Sequence, residues 1–137
     1  MPEYTKVSDV MTISIHTVDR LATVAEAVEI IRQERVSSLV VPRRDESDEL
    51  GLLVITDVAR EVIGKGRAAD RVNVYEVMTK PVLTLDKDMN IRYAVRLLVN
   101  FKLSRALVVD HERNPMGIVT IRDMVLGSIG GQSEAEE

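Results

Sequence analysis

The chain has no cysteine and no tryptophan, only one phenylalanine and three tyrosines, and no apolar run longer than the six residues from Leu50 to Ile55. Without cysteine there is no disulfide framework, no thiolate nucleophile and no cysteine-ligated zinc or iron–sulfur centre. The expected compartment is therefore the cytoplasm. Six apolar residues fall far short of the roughly 20 that cross a bilayer, so no membrane partner is expected. The opening Met-Pro-Glu-Tyr-Thr-Lys lacks a basic segment followed by an apolar stretch, and no signal peptide is expected. Aromatics at 3% offer few faces for stacking bases, and 18 Lys plus Arg against 22 Asp plus Glu leaves a net charge of −4. Both argue against a nucleic-acid partner. With two histidines, no Gly-x-Ser-x-Gly and no His-Glu-x-x-His, no catalytic constellation is visible and an enzyme is not expected.

What remains is an ordinary globular composition, 45% hydrophobic and 29% charged over 137 residues. Its dominant feature is a duplication. Val7-Ser-Asp-Val-Met-Thr12 returns as Val74-Tyr-Glu-Val-Met-Thr79, an offset of 67 that also pairs Thr17 with Thr84, Ala27-Val28 with Ala94-Val95, and Val41 with Val108. Gly51-Leu-Leu-Val-Ile-Thr-Asp57 then pairs with Gly117-Ile-Val-Thr-Ile-Arg-Asp123 at an offset of 66, one residue having been lost from the turn between. The repeats are assigned to 7–66 and 74–130, with 67–73 as linker and 131–137 as a flexible acidic tail.

Each repeat reads as helical turn, short strand, helix, strand, strand, helix. Thr23-Val-Ala-Glu26 is a capping box that opens a helix running to about Glu34, and Asn90 is the N-cap of its counterpart. Leu39–Val41 and Ala106–Val109 are β-branched runs expected as buried strands. Polar turns lead to the Gly-headed strands, and a final helix begins near Asp57 or Asp123. A unit of about 60 residues buries little core alone, so the two are expected to pack together.

The segment Gly117 to Asp123 places a strand end against a helix start, where free amides and the positive end of the helix dipole suit an anionic or polar ligand. The Thr120 hydroxyl can donate to a phosphate, and the acceptor-only Asp123 carboxylate can take both hydroxyls of a ribose. The competing reading is that Thr120 and Asp123 simply cap the helix. Gly117 would let another element approach the backbone closely.

Val-Met-Thr at the start, Leu-Val-Val-Asp before a turn and Gly-Ile-Val-Thr-x-x-Asp before the last helix resemble the CBS domain. Two in tandem, over about residues 7 to 130, resemble a stand-alone CBS pair, or Bateman module. The resemblance implies an α/β (α+β) fold of two small mixed sheets with flanking helices, packed with pseudo-twofold symmetry. It also implies clefts for an adenosine-containing ligand: AMP, ADP, ATP, S-adenosylmethionine or NAD. Each cleft takes its corner from one repeat and its Met-Thr segment from the other. The main cleft would combine Thr120 and Asp123 with Thr12, Ile15 and His16, with Arg105 as phosphate contact and Ile118 against the adenine. The second, weaker cleft would combine Thr56 and Asp57 with Thr79, Val82 and Leu83. Signalling by shape change or homodimer packing, acting on an unknown regulated protein, is what such modules imply; the alternative is a ligand-free structural dimerisation module.

The repeats differ in a way that ranks the clefts. Val54 stands where Thr120 stands, and Ser38 where Arg105 stands, so the first corner lacks a hydroxyl and a positive charge. Lys80 and Arg44 are the cations available to compensate. His16 is either a packed histidine or an adenine-edge contact, and Arg105 either a surface ion pair or a phosphate ligand. Asp86 and Asp88 precede a helix start and Asp110-His111-Glu112 lies in a turn, so no metal site is expected.

Overall fold

Short runs of leucine and β-branched residues alternate with stretches whose apolar residues recur every three or four positions, and the longer of them form the strands and helices their periods suggest. The short strand expected ahead of the first helix is in the first repeat only an isolated bridge, Thr17 to Val40, and a strand, Thr84–Asp86, in the second. The computed structural model describes residues 4–129; the tail assigned to 131–137 lies outside the described residues. In chain order the elements are α1 (Val7–Val10), α2 (Val24–Glu34), β1 (Ser38–Val41), β2 (Gly51–Val54), α3 (Ile55–Val58), β3 (Thr84–Asp86), α4 (Ile91–Asn100), β4 (Arg105–Val109), β5 (Pro115–Thr120) and α5 (Ile121–Ser128). A π-helical turn, Ala59–Ile63, continues α3, and 3-10 turns lie at Ala69–Arg71 and Val74–Glu76.

The backbone forms two compact units that do not follow the sequence repeats. One is His16–Val82; the other joins the described residues up to Ile15 to those from Leu83 onward. The opening segment of each repeat thus packs with the body of the other.

In the first unit, Thr23 opens α2 as a capping box: its N–H donates to Glu26 Oε1 at 2.8 Å, and the Glu26 N–H to Thr23 Oγ1 at 3.1 Å. Two of the four N–H groups orphaned at a helix start are satisfied this way. Val24, Ala27 and Ile31 turn inward against the antiparallel pair β1–β2, registered Ser38 with Val54 through Val41 with Gly51. Residues 67–73 are built in here: Val72 is 2% exposed and its carbonyl accepts from the Val24 N–H.

In the second unit, β3 runs parallel to β4 and β5 antiparallel to it. The connection from β3 to β4 is α4, capped by Asn90, whose side chain accepts from the Arg92 N–H at 2.8 Å. Ile91, Ala94 and Leu98 of α4 close on Ala106, Val108, Val119 and Met124. Val7 of α1 is fully buried in this cluster, and its N–H donates to the Met89 carbonyl. Met11 and Met78, at equivalent positions, pack against the cores of the second and first units respectively.

Candidate functional site

At the β5–α5 corner, Thr120 is extended and serves as N-cap. Its hydroxyl accepts from the Asp123 N–H at 3.0 Å, and Asp123 Oδ2 accepts from the Thr120 N–H at 3.1 Å. The capping role is therefore filled. It uses one carboxylate oxygen and one lone pair of the hydroxyl, so the pair still has Asp123 Oδ1 and the hydroxyl proton to offer a ligand.

β4 and β5 are registered so that Arg105 faces Thr120 and Leu107 faces Ile118. With side chains alternating across a strand, Arg105, Ile118 and Thr120 share one face of the sheet, while Ala106 and Val119 enter the core on the other. Thr12 lies along this strand: its N–H donates to the Ile118 carbonyl at 2.8 Å and its carbonyl accepts from the Ile118 N–H at 3.0 Å. Gly117 makes the approach possible. A Cβ there would stand 2.6 Å from the Thr12 carbonyl oxygen and 2.7 Å from Met11 Sδ. Its backbone is not left-handed, so space rather than conformation requires glycine. Thr12, Ile15, Arg105, Ile118, Thr120 and Asp123 thus fall in one compact unit, with Ile15, Arg105, Ile118, Thr120 and Asp123 half-buried and Thr12 exposed. His16 falls in the other, its Nε2 3.7 Å from Glu34 and its carbonyl accepting from Val40.

The β2–α3 corner has the same backbone and different chemistry. Val54 is the extended N-cap and makes no side-chain cap bond. Asp57, only 8% exposed, accepts from the Val54 N–H at 3.3 Å and from Arg60 Nη2 at 2.6 Å. Buried Ser38 faces Val54 where Arg105 faces Thr120. Thr79 pairs with Leu52 as Thr12 does with Ile118, and Val82 donates its N–H to Leu50. Thr56 is exposed at the helix start, whereas Leu83 belongs to the second unit, its carbonyl accepting from Leu107. Arg60 carried no role in the reading of the sequence. The Asp57-x-x-Arg60 spacing, which puts the two on one helical face, was the available signal.

The two cations considered as substitutes are engaged elsewhere. Lys80 Nζ reaches both Asp48 oxygens at 2.9 Å, and Arg44 donates Nε at 3.0 Å and its backbone N–H at 2.9 Å to Asp48 Oδ2. The Arg44 and then the Lys80 hydrogen bonds hold the Asp48 carboxyl far below the usual carboxylate range. A carboxyl with a depressed folded pKa adds stability that is complete above its unfolded value, about 3.9, and is lost as pH falls toward the folded value. Asp48→Asn is therefore expected to melt below wild type at pH 7. The gap should narrow progressively below about pH 4, and thermal melts from pH 7 to pH 2 check it.

Near the β3–α4 turn, His111 Nε2 lies 3.5 Å from Asp86 and 3.3 Å from Asp88. Lys6 and Lys87 reach Asp88 Oδ1 at 3.4 and 3.8 Å. Burial alone would raise the Asp88 carboxyl, but Lys6, Lys87 and His111 together hold it below its usual value. Asp86, Asp88 and His111, which the sequence reading kept apart, each place a ligand atom within 4.8 Å of the others, a grouping that could hold a metal ion. Asp110 accepts the Glu112 and Asn114 N–H groups in the adjoining turn.

Of the apolar residues on the terminal helices, Val58, Val62 and Met124 turn into the cores. Val125, Leu126 and Ile129 stay exposed beside a groove of about 530 Å³ lined by Tyr4, Ile91, Arg92, Val95, Val125 and Ile129. No helix among the described residues is long and apolar enough to cross a membrane.

The family profile described as CBS domain matches residues 7–64 and 74–128. An uncharacterised protein of Methanopyrus kandleri, MK0525, is 33% identical over 103 residues, covering 72% of this chain and 52% of its own. The chain spans about half of that relative's length or less for the other curated relatives. Among solved structures, the hexameric CBS-CP12 protein of bloom-forming cyanobacteria superposes with a TM-score of 0.87 at 27% identity, covering 93% of this chain and 73% of that one. The CBS domain of a bacterial CNNM/CorC-family Mg2+ transporter, in complex with ATP, shares the fold at a TM-score of 0.74 and 22% identity, over 92% of this chain and 88% of that one.

Proposed function

The chain belongs to the CBS-domain family, and on that premise we propose that it is a regulatory module holding an adenosine-containing ligand at the β5–α5 corner. What carries the reading is that corner itself: Thr120 and Asp123 capping α5, Arg105 in register with Thr120, and Thr12 drawn alongside Ile118 by Gly117. The donors and acceptors fit such a ligand. Asp123 Oδ1 takes the ribose hydroxyls, the Thr120 hydroxyl and the Arg105 guanidinium meet the phosphate or carboxylate end, and Ile118 with Ile15 offers an apolar face to the adenine. The first-repeat corner, with Thr56, Asp57, Thr79 and Val82, lacks the hydroxyl and the guanidinium and is the poorer of the two for such a ligand.

The class spans AMP, ADP, ATP, S-adenosylmethionine and NAD, which share the base and ribose. Regulation follows if the ligand prefers one of two states of shape or dimer packing, because binding shifts an equilibrium only by its differential affinity. The exposed Val125, Leu126 and Ile129 are the apolar side chains such packing would cover. A thermal-shift panel of those five compounds, with GTP as control, tests the reading. At about 100 times the dissociation constant, a binding compound adds about 2.7 kcal/mol of stability. A rise with an adenosyl compound and none with GTP is expected. A flat panel from protein that carries no nucleotide through purification would turn the reading to a ligand-free dimerisation module.

A further inference from the structure

The two corners differ at one position that the repeat pattern passes over. In the first, Arg60 Nη2 sits 2.6 Å from Asp57 Oδ1, the carboxylate oxygen that is not engaged by the cap. In the second, the residue three after Asp123 is Leu126, which has no charge to offer, and the Asp123 cap likewise uses only Oδ2. The remaining groups at the first corner are spent as well: Val54 has no hydroxyl, Ser38 stands where Arg105 would be, and Lys80 and Arg44 are both held by Asp48.

We infer that Arg60 is an internal plug, its guanidinium filling the place a ribose would take on Asp57, so that the chain binds one adenosyl ligand and not two. The inference rests on the reading of the Thr120–Asp123 corner given above and deepens it by naming the residue that sets the stoichiometry. Chemically the exchange is balanced. A ribose offers a carboxylate two neutral O–H donors, whereas Arg60 offers a charged N–H tethered on the same helical face, at no cost in translational entropy. A free nucleoside competes poorly with a donor that is always present. The arginine is itself 62% exposed along its side chain, so its removal takes little out of the core.

The test is calorimetric titration with adenosine, chosen because the first corner has nothing for a phosphate. Wild type is expected to titrate one site, lost in Asp123→Ala. Arg60→Leu, which copies the second repeat, is expected to titrate two, returning to one when Asp57→Asn is added. The reciprocal variant, Leu126→Arg, installs a plug on an exposed position and should weaken the wild-type site about tenfold or more, the worth of one charge-assisted hydrogen bond. One site in both wild type and Arg60→Leu overturns the plug while leaving the binding corner intact; two sites in wild type also overturns it. If wild type binds no adenosine, the reading of the Thr120–Asp123 corner fails and Arg60→Leu decides alone. A site there that Asp57→Asn removes supports the plug, and no site overturns it.

Discussion

Gly117→Val is expected to unfold the second unit more readily than any other single change at the β5–α5 corner. A Cβ at Gly117 would stand 2.6 Å from a backbone oxygen, which no rotamer change can relieve. Either Thr12 leaves the strand, breaking its two hydrogen bonds to Ile118, or β5 shifts in register. Two backbone bonds at about 1 kcal/mol each, plus about 1–3 kcal/mol of overpacking, come to about 3–5 kcal/mol. Domains of this size are stable by only about 5–15 kcal/mol. Chemical denaturation and a melting point lower by about 10 °C or more would show it. The equivalent Gly51 is the control. Its Cβ would meet the flexible end of Met78 at 3.1 Å and the Thr79 oxygen at 3.4 Å, so Gly51→Ala should stay within about 1 kcal/mol of wild type. Equal losses at the two glycines would mean that the close approach of Thr12 contributes little.

Asp123→Ala is expected to abolish the ligand-induced stabilisation while leaving a folded protein. The cap it removes costs about 1 kcal/mol, visible as a modestly lower melting point without ligand. Binding loses far more. Hydrogen bonds from two ribose hydroxyls to a carboxylate are worth about 1.5–3 kcal/mol each, so affinity should fall about 100-fold or more. Thr120→Val keeps the carboxylate and loses the hydroxyl. It should weaken compounds bearing a phosphate about tenfold and adenosine little, while Thr120→Ser restores wild-type behaviour. Titration of AMP and adenosine against the three variants separates a ligand contact from a cap, because a cap alone would lower stability without touching affinity. Equal affinity in wild type and all variants would sink the site assignment.

Several of these elements are legible in the linear chain because their causes are local. Thr23 and Glu26 stand three residues apart, and that spacing alone sets the start of α2. Asn90 does the same for α4, and the runs Leu39–Val41 and Ala106–Val109 lie in strands because their side chains suit a buried pleat. The corner at Thr120 and Asp123 is local too, which is why both its capping role and its chemical potential can be read from Thr-x-x-Asp. Arg60 is the instructive miss. Its spacing from Asp57 is as readable as that of Thr23 from Glu26, but aligning the repeats draws the eye to what the corners share.

Composition, duplication, capping and strand periodicity were therefore determined by the sequence itself, since each depends on neighbours within one turn or one pleat. The tertiary structure alone decided which partners distant residues take. Asp48 captures Lys80 across 32 positions, so that neither it nor Arg44 is left for an anion. Val72, in a stretch that reads as a linker, is buried and bonded to the start of α2. The family resemblance puts Thr12 in the same cleft as Ile118, but nothing in periodicity specifies it, because the segment 7–12 shares four of its six residues, and its apolar pattern, with 74–79. That choice is made by the free energy of burying Val7 among Leu85, Ile91 and Ala94 in a core that exists only once the chain has closed on itself.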